Sequence, residues 1–395
     1  MAEMRALCWN GIGDLVVTRV PQPETINADD VVVKVHLSAT CGSDLHFIDG
    51  YIPTLRRGDI IGHEFIGEVV EKGPNVKKLK IGDRVVVPST IGCGACHHCR
   101  SENWSLCDNS NPNESISEIL YGSTSGAVYG CSHAFGGYAG SHAEYVRVPY
   151  ADHGAIRVPD EISDEKALFV SDACPTGYMA AEMCSIQPGD VVAIWGAGAV
   201  GLMAAKSAFL LGAERVIVID RFLDRLKVAE EDVGAETLNY EDVDVHEALK
   251  ELTAGRLPDA CIDAVGLEAH ETGLEYLYDR MKQMAYIETD RAVALRQAIH
   301  SCRKGGVVSI IGTYGGLIDK FPMGAAFVKG LTIRTGIQNG QKYAPLVLKL
   351  IQEGKLDPSF LLTHRLPLSQ GPQGYYLFKY KIDGCIRAAF DPRIQ

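Results

Sequence analysis

Up to about Pro159 the apolar positions fall in short runs at strand spacing. "LVVTRV", "DVVVKVHLSA", "FIGEVVEKG", "DRVVVPS" and "AEYVRVP" are rich in β-branched residues, and Gly and Pro turns separate them. Such runs predict an irregular, barrel-like β domain. From about Gly177 to Thr335 the pattern changes. "DVVAIWGAG", "RVIVIDR", "DACIDAVG", "GVVSIIG" and "LTIRTG" read as strands, with helical stretches such as Leu202–Leu211 and Leu223–Val233 between them. Alternation of strand and helix is the signature of a parallel, doubly wound sheet. The last sixty or so residues resume the first pattern, with a helix near Tyr343–Glu353 and then "LLTHRLPL" and "CIRAAF". The expected fold class is therefore α/β. A β domain over 1–176 is completed by 336–395, and a doubly wound domain occupies 177–335. "YGSTSGAVYGCSHAFGGYAGSHAEY" reads as a long loop, either a surface excursion or a pocket wall.

Length agrees with two domains, because 395 residues exceed what one core usually organises. The balance of 38 basic against 50 acidic residues, net −12, argues against nucleic acid or an anionic membrane as partner. The longest apolar run, Val191 to Ala205, is bounded by Asp190 and Lys206 and holds three glycines. It is too short to cross a bilayer, and a strand–turn–helix explains it better. The opening "MAEMRALCWNGIGDLVV" has no continuous apolar core behind a basic start, so a cytoplasmic, reducing setting is expected.

That setting bears on "GCGACHHCRSENWSLC", where Cys93, Cys96, Cys99 and Cys107 crowd one lobe at about 92–108. A disulfide knot, an iron–sulfur cluster and a closed zinc site compete. Twelve cysteines are too few for a disulfide scaffold of this length, and reduced thiols in a cluster read as metal ligands. Bacterial ferredoxin ligation uses a short step to a fourth cysteine followed by proline, whereas Asp108 follows Cys107. Four thiolates at CxxC steps suit tetrahedral zinc with no open position.

Gly196-x-Gly198-x-x-Gly201 lies between a β run and a helical run, and Asp220 ends the next strand. A lone GxGxxG is weak, but this context is the one a dinucleotide site requires. Gly196 permits the tight turn, Gly198 lets a pyrophosphate approach the backbone, and Gly201 lets helix and strand pack. Free N–H groups at the helix start then face the phosphates. Asp220 would bind the adenosine ribose and repel a 2′-phosphate, which favours NAD over NADP. Arg221 is a basic neighbour that a phosphate could use.

A second constellation is "CGSDLH", Cys41 to His46, with "GHE", Gly62 to Glu64. Cys41 and His63 are two of the three donors that a catalytic zinc with an open position needs. Together with Pro175-Thr176-Gly177-Tyr178, the cysteine lobe and the glycine fingerprint, these motifs resemble the zinc-dependent medium-chain alcohol dehydrogenases over nearly the whole chain. "AEYVRVPYAD", "SDACPTGY" and the long segment after "DAVG" resemble the glutathione-independent formaldehyde dehydrogenase branch. The resemblance implies a GroES-like catalytic domain beside a Rossmann domain, one catalytic and one structural zinc, NAD, a small alcohol or aldehyde as substrate, and a homotetramer. It also implies site roles. Cys41, His63 and Asp172 hold the catalytic zinc. Ser43 takes the hydroxyl proton and passes it through the cofactor ribose to His46 at the surface. Glu64 ligates transiently, and Asp44 fixes the tautomer of His63. Thr176 and Val200 lie near the nicotinamide, and Arg225 either covers the adenosine or is a solvated helix charge.

Two features depart from the plain alcohol dehydrogenase pattern. The third ligand position holds Asp172 where cysteine is usual, and an enlarged segment spans roughly Leu267 to Arg303, helical in "LRQAIHSCR". In the formaldehyde branch a comparable insertion covers the cofactor; here a surface helix or an oligomer contact is the alternative. A broader-range secondary-alcohol or polyol dehydrogenase is the rival enzyme. A non-catalytic zinc- and NAD-binding regulator is the rival of another class, although such a protein would be expected to lose Cys41, Ser43 or His63.

Overall fold

A computed structural model describes residues 2–267 and 291–394. The chain forms two compact units, Met1–Pro175 with Gln338–Gln395, and Thr176–Ile337.

The first unit is built on the strand Val31–Ala39. Among the described residues the sheet runs Leu362–Pro367, Arg387–Asp391, Val31–Ala39, Glu64–Lys72, Arg84–Val87, Ile156–Arg157, and Tyr145–Val148 also pairs with Val31–Ala39. The register of Val31–Ala39 against Glu64–Lys72 slips between Val32 and Val33 and again between Val35 and Leu37. Bulges of this kind bend and twist a sheet, which curls it toward a barrel. Val31, Val33, Val35, Phe65, Val69, Val85 and Val87 share one core. Leu7, Leu45, Ile61, Tyr375, Phe378 and Phe390 share another. Each such side chain, fully buried, contributes about 1.5–3 kcal/mol. Glu3–Gly11 and Asp14–Pro21 form an antiparallel hairpin, of which only the second strand is plain in the apolar pattern.

The second unit holds a parallel sheet ordered Glu236–Asn239, Arg215–Asp220, Val191–Trp195, Ala260–Asp263, Val307–Ile310, Thr332–Thr335. Its strand order, 3-2-1-4-5-6 in chain sequence, is that of a dinucleotide-binding doubly wound sheet. Ala193, Trp195, Ile217, Ile219, Leu249 and Ile299 pack one face. The expected helix Leu223–Val233 is corrected in its second half. Leu223–Val228 is α-helical, and Ala229–Val233 widens to a π-helical turn that ends at Gly234, φ +81°. Such a turn absorbs an extra residue without ending the helix. "LRQAIHSCR" forms most of the helix Val293–Ser301. Residues 268–290 of the enlarged segment lie outside the described residues, and so does the expectation that they cover the cofactor. No helix among the described residues is long and apolar enough to cross a membrane.

Candidate active site and metal centres

Pairing of Ala39 with Glu64 places the end of one strand beside the start of the next. That register delivers Cys41, just past the first strand, to His63, just before the second. Gly62 between them has φ +92°, and a Cβ there would lie 2.6 Å from the ring of His142. Only glycine admits both the conformation and the close approach. Cys41 caps the helix Gly42–Ile48, and Asp44 in its first turn accepts the Cys41 N–H at 2.8 Å. The donor atoms of Cys41, His63 and Glu64 lie within 4.8 Å of one another, and all three residues are buried. Asp172 brings Oδ2 to 3.6 Å from His63 Nε2. Ser43 Oγ stands 3.3 Å from Cys41 Sγ and 3.4 Å from His63 Nε2.

Charge at this cluster is arranged by neighbours the motifs do not include. Arg387 reaches Glu64 Oε1 at 3.1 Å and Cys41 Sγ at 3.6 Å, and it donates to the carbonyl of Thr40. Burial alone would raise the Cys41 thiol, but the charges of Arg387 and His63 bring it down to about 6. Burial pushes the Glu64 carboxyl well up, and Arg387 offsets this only in part. His63 Nδ1 meets Asp44 Oδ1 at 3.0 Å. Although burial opposes the charge on Asp44, its pairing with His63 holds it near 2. Burial keeps His142 neutral, with a value lowered to about 4. Arg387 interrupts the apolar strand "CIRAAF", and that charge in an apolar run is its one mark in the sequence. Nothing in the sequence marks His142 or Tyr375 as neighbours of the site.

Cys174 is fully buried, and burial drives its thiol far up, as for a small apolar side chain. Thr176 is buried and Val200 half-buried, both in the second unit. His46 is corrected: it is 4% exposed rather than at the surface. Its helix packs Leu45 and Ile48 into the core, and the next turn of chain folds back over it, with the N–H of Tyr51 and of Ile52 on the His46 carbonyl.

The cysteine lobe fits a closed tetrahedral metal. Cys93, Cys96, Cys99 and Cys107 place their sulfurs within 4.8 Å of one another, with Cys93–Cys99 and Cys96–Cys107 at 4.0 Å. Sulfurs about 2.3 Å from a shared zinc would stand about 3.8 Å apart. Backbone N–H groups of Ala95 and Cys96 point at Cys93 Sγ, that of Cys99 at Cys96 Sγ, and those of Cys93 and Asn109 at Cys107 Sγ, all at 3.3–3.4 Å. An array of donors aimed at sulfur stabilises thiolates.

In the second unit the fingerprint has the geometry a dinucleotide needs. Gly196 has φ +100°, and a Cβ on Gly201 would overlap the Gly196 carbonyl. Among the described residues no side chain caps the helix Ala199–Leu210, which leaves its N-terminal N–H groups suited to a phosphate. Asp220 Oδ2 accepts the N–H of Ala197 at 2.7 Å, and Oδ1 that of Arg221 at 2.6 Å. This ties the acid to the glycine loop. Arg221 turns to Glu241, 3.3 Å away. Arg225 Nη1 lies 3.8 Å from where a Cβ of Gly198 would be, beside the phosphate loop.

These features have counterparts in known proteins. Residues 27–160 match the alcohol dehydrogenase GroES-like domain, and residues 199–284 match the zinc-binding dehydrogenase family. An uncharacterized zinc-type alcohol dehydrogenase-like protein of Bacillus subtilis is 39% identical, over 98% of this chain and 100% of its own. A glutathione-independent formaldehyde dehydrogenase of the same species is 33% identical, over 94% and 93%. The alcohol dehydrogenase of Thermus sp. ATN1 superposes with TM-score 0.85 at 34% identity, covering 99% of this chain and 100% of that one. The chain belongs to the zinc-dependent medium-chain alcohol dehydrogenase family. It is an enzyme of that family with zinc and NAD as cofactors, and it resembles the formaldehyde dehydrogenase branch.

Proposed function

We propose that this enzyme oxidises a small alcohol or a hydrated aldehyde, formaldehyde among them, with NAD. The observation that carries the reading is the Cys41–His63 pair with the Ser43 hydroxyl within 3.4 Å of both. Cys41, His63 and Asp172 would hold the catalytic zinc, and the four-cysteine lobe the structural one. Glu64 also lies within 4.8 Å of the Cys41 and His63 donors, but Arg387 engages its Oε1 at 3.1 Å, which favours Asp172 as the third donor. When bound, zinc supplies a Lewis acid for the substrate oxygen and NAD supplies the hydride acceptor. Ser43 Oγ accepts the proton of the substrate hydroxyl, and His46 on the same helix takes it onward. Asp44 holds the Nδ1 proton of His63, which leaves Nε2 for the metal. Asp220 selects NAD over NADP by repelling a 2′-phosphate, and Arg225 covers the adenosine. Thr176 and Val200 are assigned to the nicotinamide end.

The formaldehyde dehydrogenase relative supports the hydrated-aldehyde substrate, and the Bacillus zinc-type relative supports the wider alcohol class. A substrate panel with NAD, with and without glutathione, read by NADH absorbance, tests the proposal. Formaldehyde turnover without glutathione is expected, with NAD far ahead of NADP and the gap narrowed in Asp220→Gly. Turnover of larger secondary alcohols or polyols alone would replace the formaldehyde reading. No NADH from any substrate would mean a non-catalytic binder. A cytoplasmic homotetramer belongs to the same proposal on family grounds, and a sedimentation mass of 42.8 kDa would refute the tetramer.

A further inference from the structure

We propose that Tyr375 and His142 are positioning residues that, through Asp44, aim the Nε2 lone pair of His63 at the Cys41 side of the site. This rests on the metal-site reading above. Five buried side chains of the first unit form one line, the first four joined by hydrogen bonds and the last, His63, by a charge contact with Asp44. Ser38 Oγ meets His142 Nδ1 at 2.8 Å, His142 Nε2 meets the Tyr375 hydroxyl at 2.8 Å, and that hydroxyl meets Asp44 Oδ2 at 2.7 Å. Asp44 Oδ1 then meets His63 Nδ1 at 3.0 Å.

Donor and acceptor inventory gives the line a direction. Asp44 Oδ2 already accepts the N–H of Cys41 at 2.8 Å, so it acts as acceptor, and the Tyr375 hydroxyl must donate to it. With its one proton committed, the Tyr375 oxygen can only accept from His142. His142 therefore carries its proton on Nε2, and its Nδ1 accepts from Ser38. At the other end, Asp44 accepts from His63 Nδ1–H, so the Nε2 of a neutral His63 bears the lone pair. Each of the three hydrogen bonds has one donor and one acceptor, and reversing any one alone would set two donors or two acceptors face to face.

Placement of the line is equally determined. The backbone N–H of His142 donates to Ile61 at 3.0 Å, and its carbonyl accepts from Leu7 at 2.8 Å. Its ring fills the space that a side chain on Gly62 would need, next to His63 in the chain. Tyr375 comes from the helix Gly371–Tyr380, and its ring packs against that of Phe390 with centroids 6.0 Å apart. The metal donors near the start of the chain are thus oriented by a hydroxyl from near its end.

Tyr375→Phe tests this, because it removes one oxygen and keeps the ring. Competition with a chromophoric chelator should show affinity for the chelator-labile zinc falling about tenfold, the low end for loss of an outer partner. The four-cysteine zinc should stay as in the wild type, while the thermal midpoint should fall by a few degrees for the buried His142 N–H left without its acceptor. In the wild type, ¹⁵N shifts should show His142 as the Nε2–H tautomer, and in Tyr375→Phe that preference should weaken. Unchanged labile-zinc affinity in Tyr375→Phe, or an Nδ1–H tautomer of His142 in the wild type, would overturn the proposal. Should Tyr375→Phe not fold, the wild-type tautomer decides. Cys41→Ser is the separate control: if it binds labile zinc as the wild type does, the metal-site reading is at fault, and the tautomer still judges the line.

Discussion

Asp172 and Cys174 stand two positions apart and belong to different chemistry. Asp172 puts an oxygen 3.6 Å from His63 Nε2, while Cys174 is fully buried with its thiol held neutral. The Asp172 carbonyl is also fixed, since Gln338 Nε2 donates to it at 3.1 Å. With Asp172 as the proposed ligand, a carboxylate would give less charge to zinc than a thiolate, leaving the metal the stronger Lewis acid. We predict that Asp172→Ala abolishes turnover and lowers occupancy of the labile zinc. Cys174→Ala should keep both and lose roughly 1 kcal/mol of stability at most, as for trimming a small apolar side chain. Metal analysis beside NADH absorbance checks the pair. If Cys174→Ala is the variant that loses zinc, the ligand register is wrong.

At the scale of elements, what could be read in advance depended on how completely a segment is buried. The strand Val191–Trp195 and the middle four residues of Arg215–Asp220 are all apolar, as in a parallel sheet covered on both faces, and they stand out. Glu236–Asn239 at the sheet edge is half-buried and polar, so its sequence resembles a loop. The site divides along the same line. Cys41, His63, the four-cysteine lobe and GxGxxG are local motifs with fixed spacing, and were legible. Arg387, His142 and Tyr375 reach the site through long-range pairing, such as Phe390 with Ser38, which no local spacing encodes. The glycine loop allows a prediction about one element. Gly198 has ordinary angles, φ −79° and ψ 178°, and room for a Cβ, whereas a Cβ on Gly201 would strike the Gly196 carbonyl. Gly201→Ala should therefore destabilise the second unit by about 1–3 kcal/mol, the usual cost of overpacking. Gly198→Ala should unfold like the wild type yet bind NADH more weakly, because its methyl group occupies the phosphate approach. Denaturant unfolding and NADH fluorescence titration separate the two, and equal destabilisation by both would contradict the assignment.

For the molecule as a whole, the two metal centres differ in the one property that governs exchange. At the lobe, four sulfurs fill a tetrahedron and backbone N–H groups at 3.3–3.4 Å support their charge, so no position is left for an entering ligand. At Cys41 and His63, with Asp172 as the proposed third ligand, the donors would number three, and a fourth position would stay open for substrate to reach the metal. A chelator needs that same opening. The purified protein should carry two zinc ions per chain, and dialysis against a chelator should remove one of them. Activity should fall with the labile ion and return when zinc is restored. The fold should persist throughout, because the thiolate site, which braces a lobe whose own apolar cluster is little more than the cysteines, Trp104 and Tyr150, keeps its metal. Elemental analysis before and after dialysis, with circular dichroism on the same samples, makes the measurement. A single zinc, iron in place of zinc, or loss of both ions at one rate would each sink the two-site reading, the last because it would mean that the four sulfurs do not close their metal off.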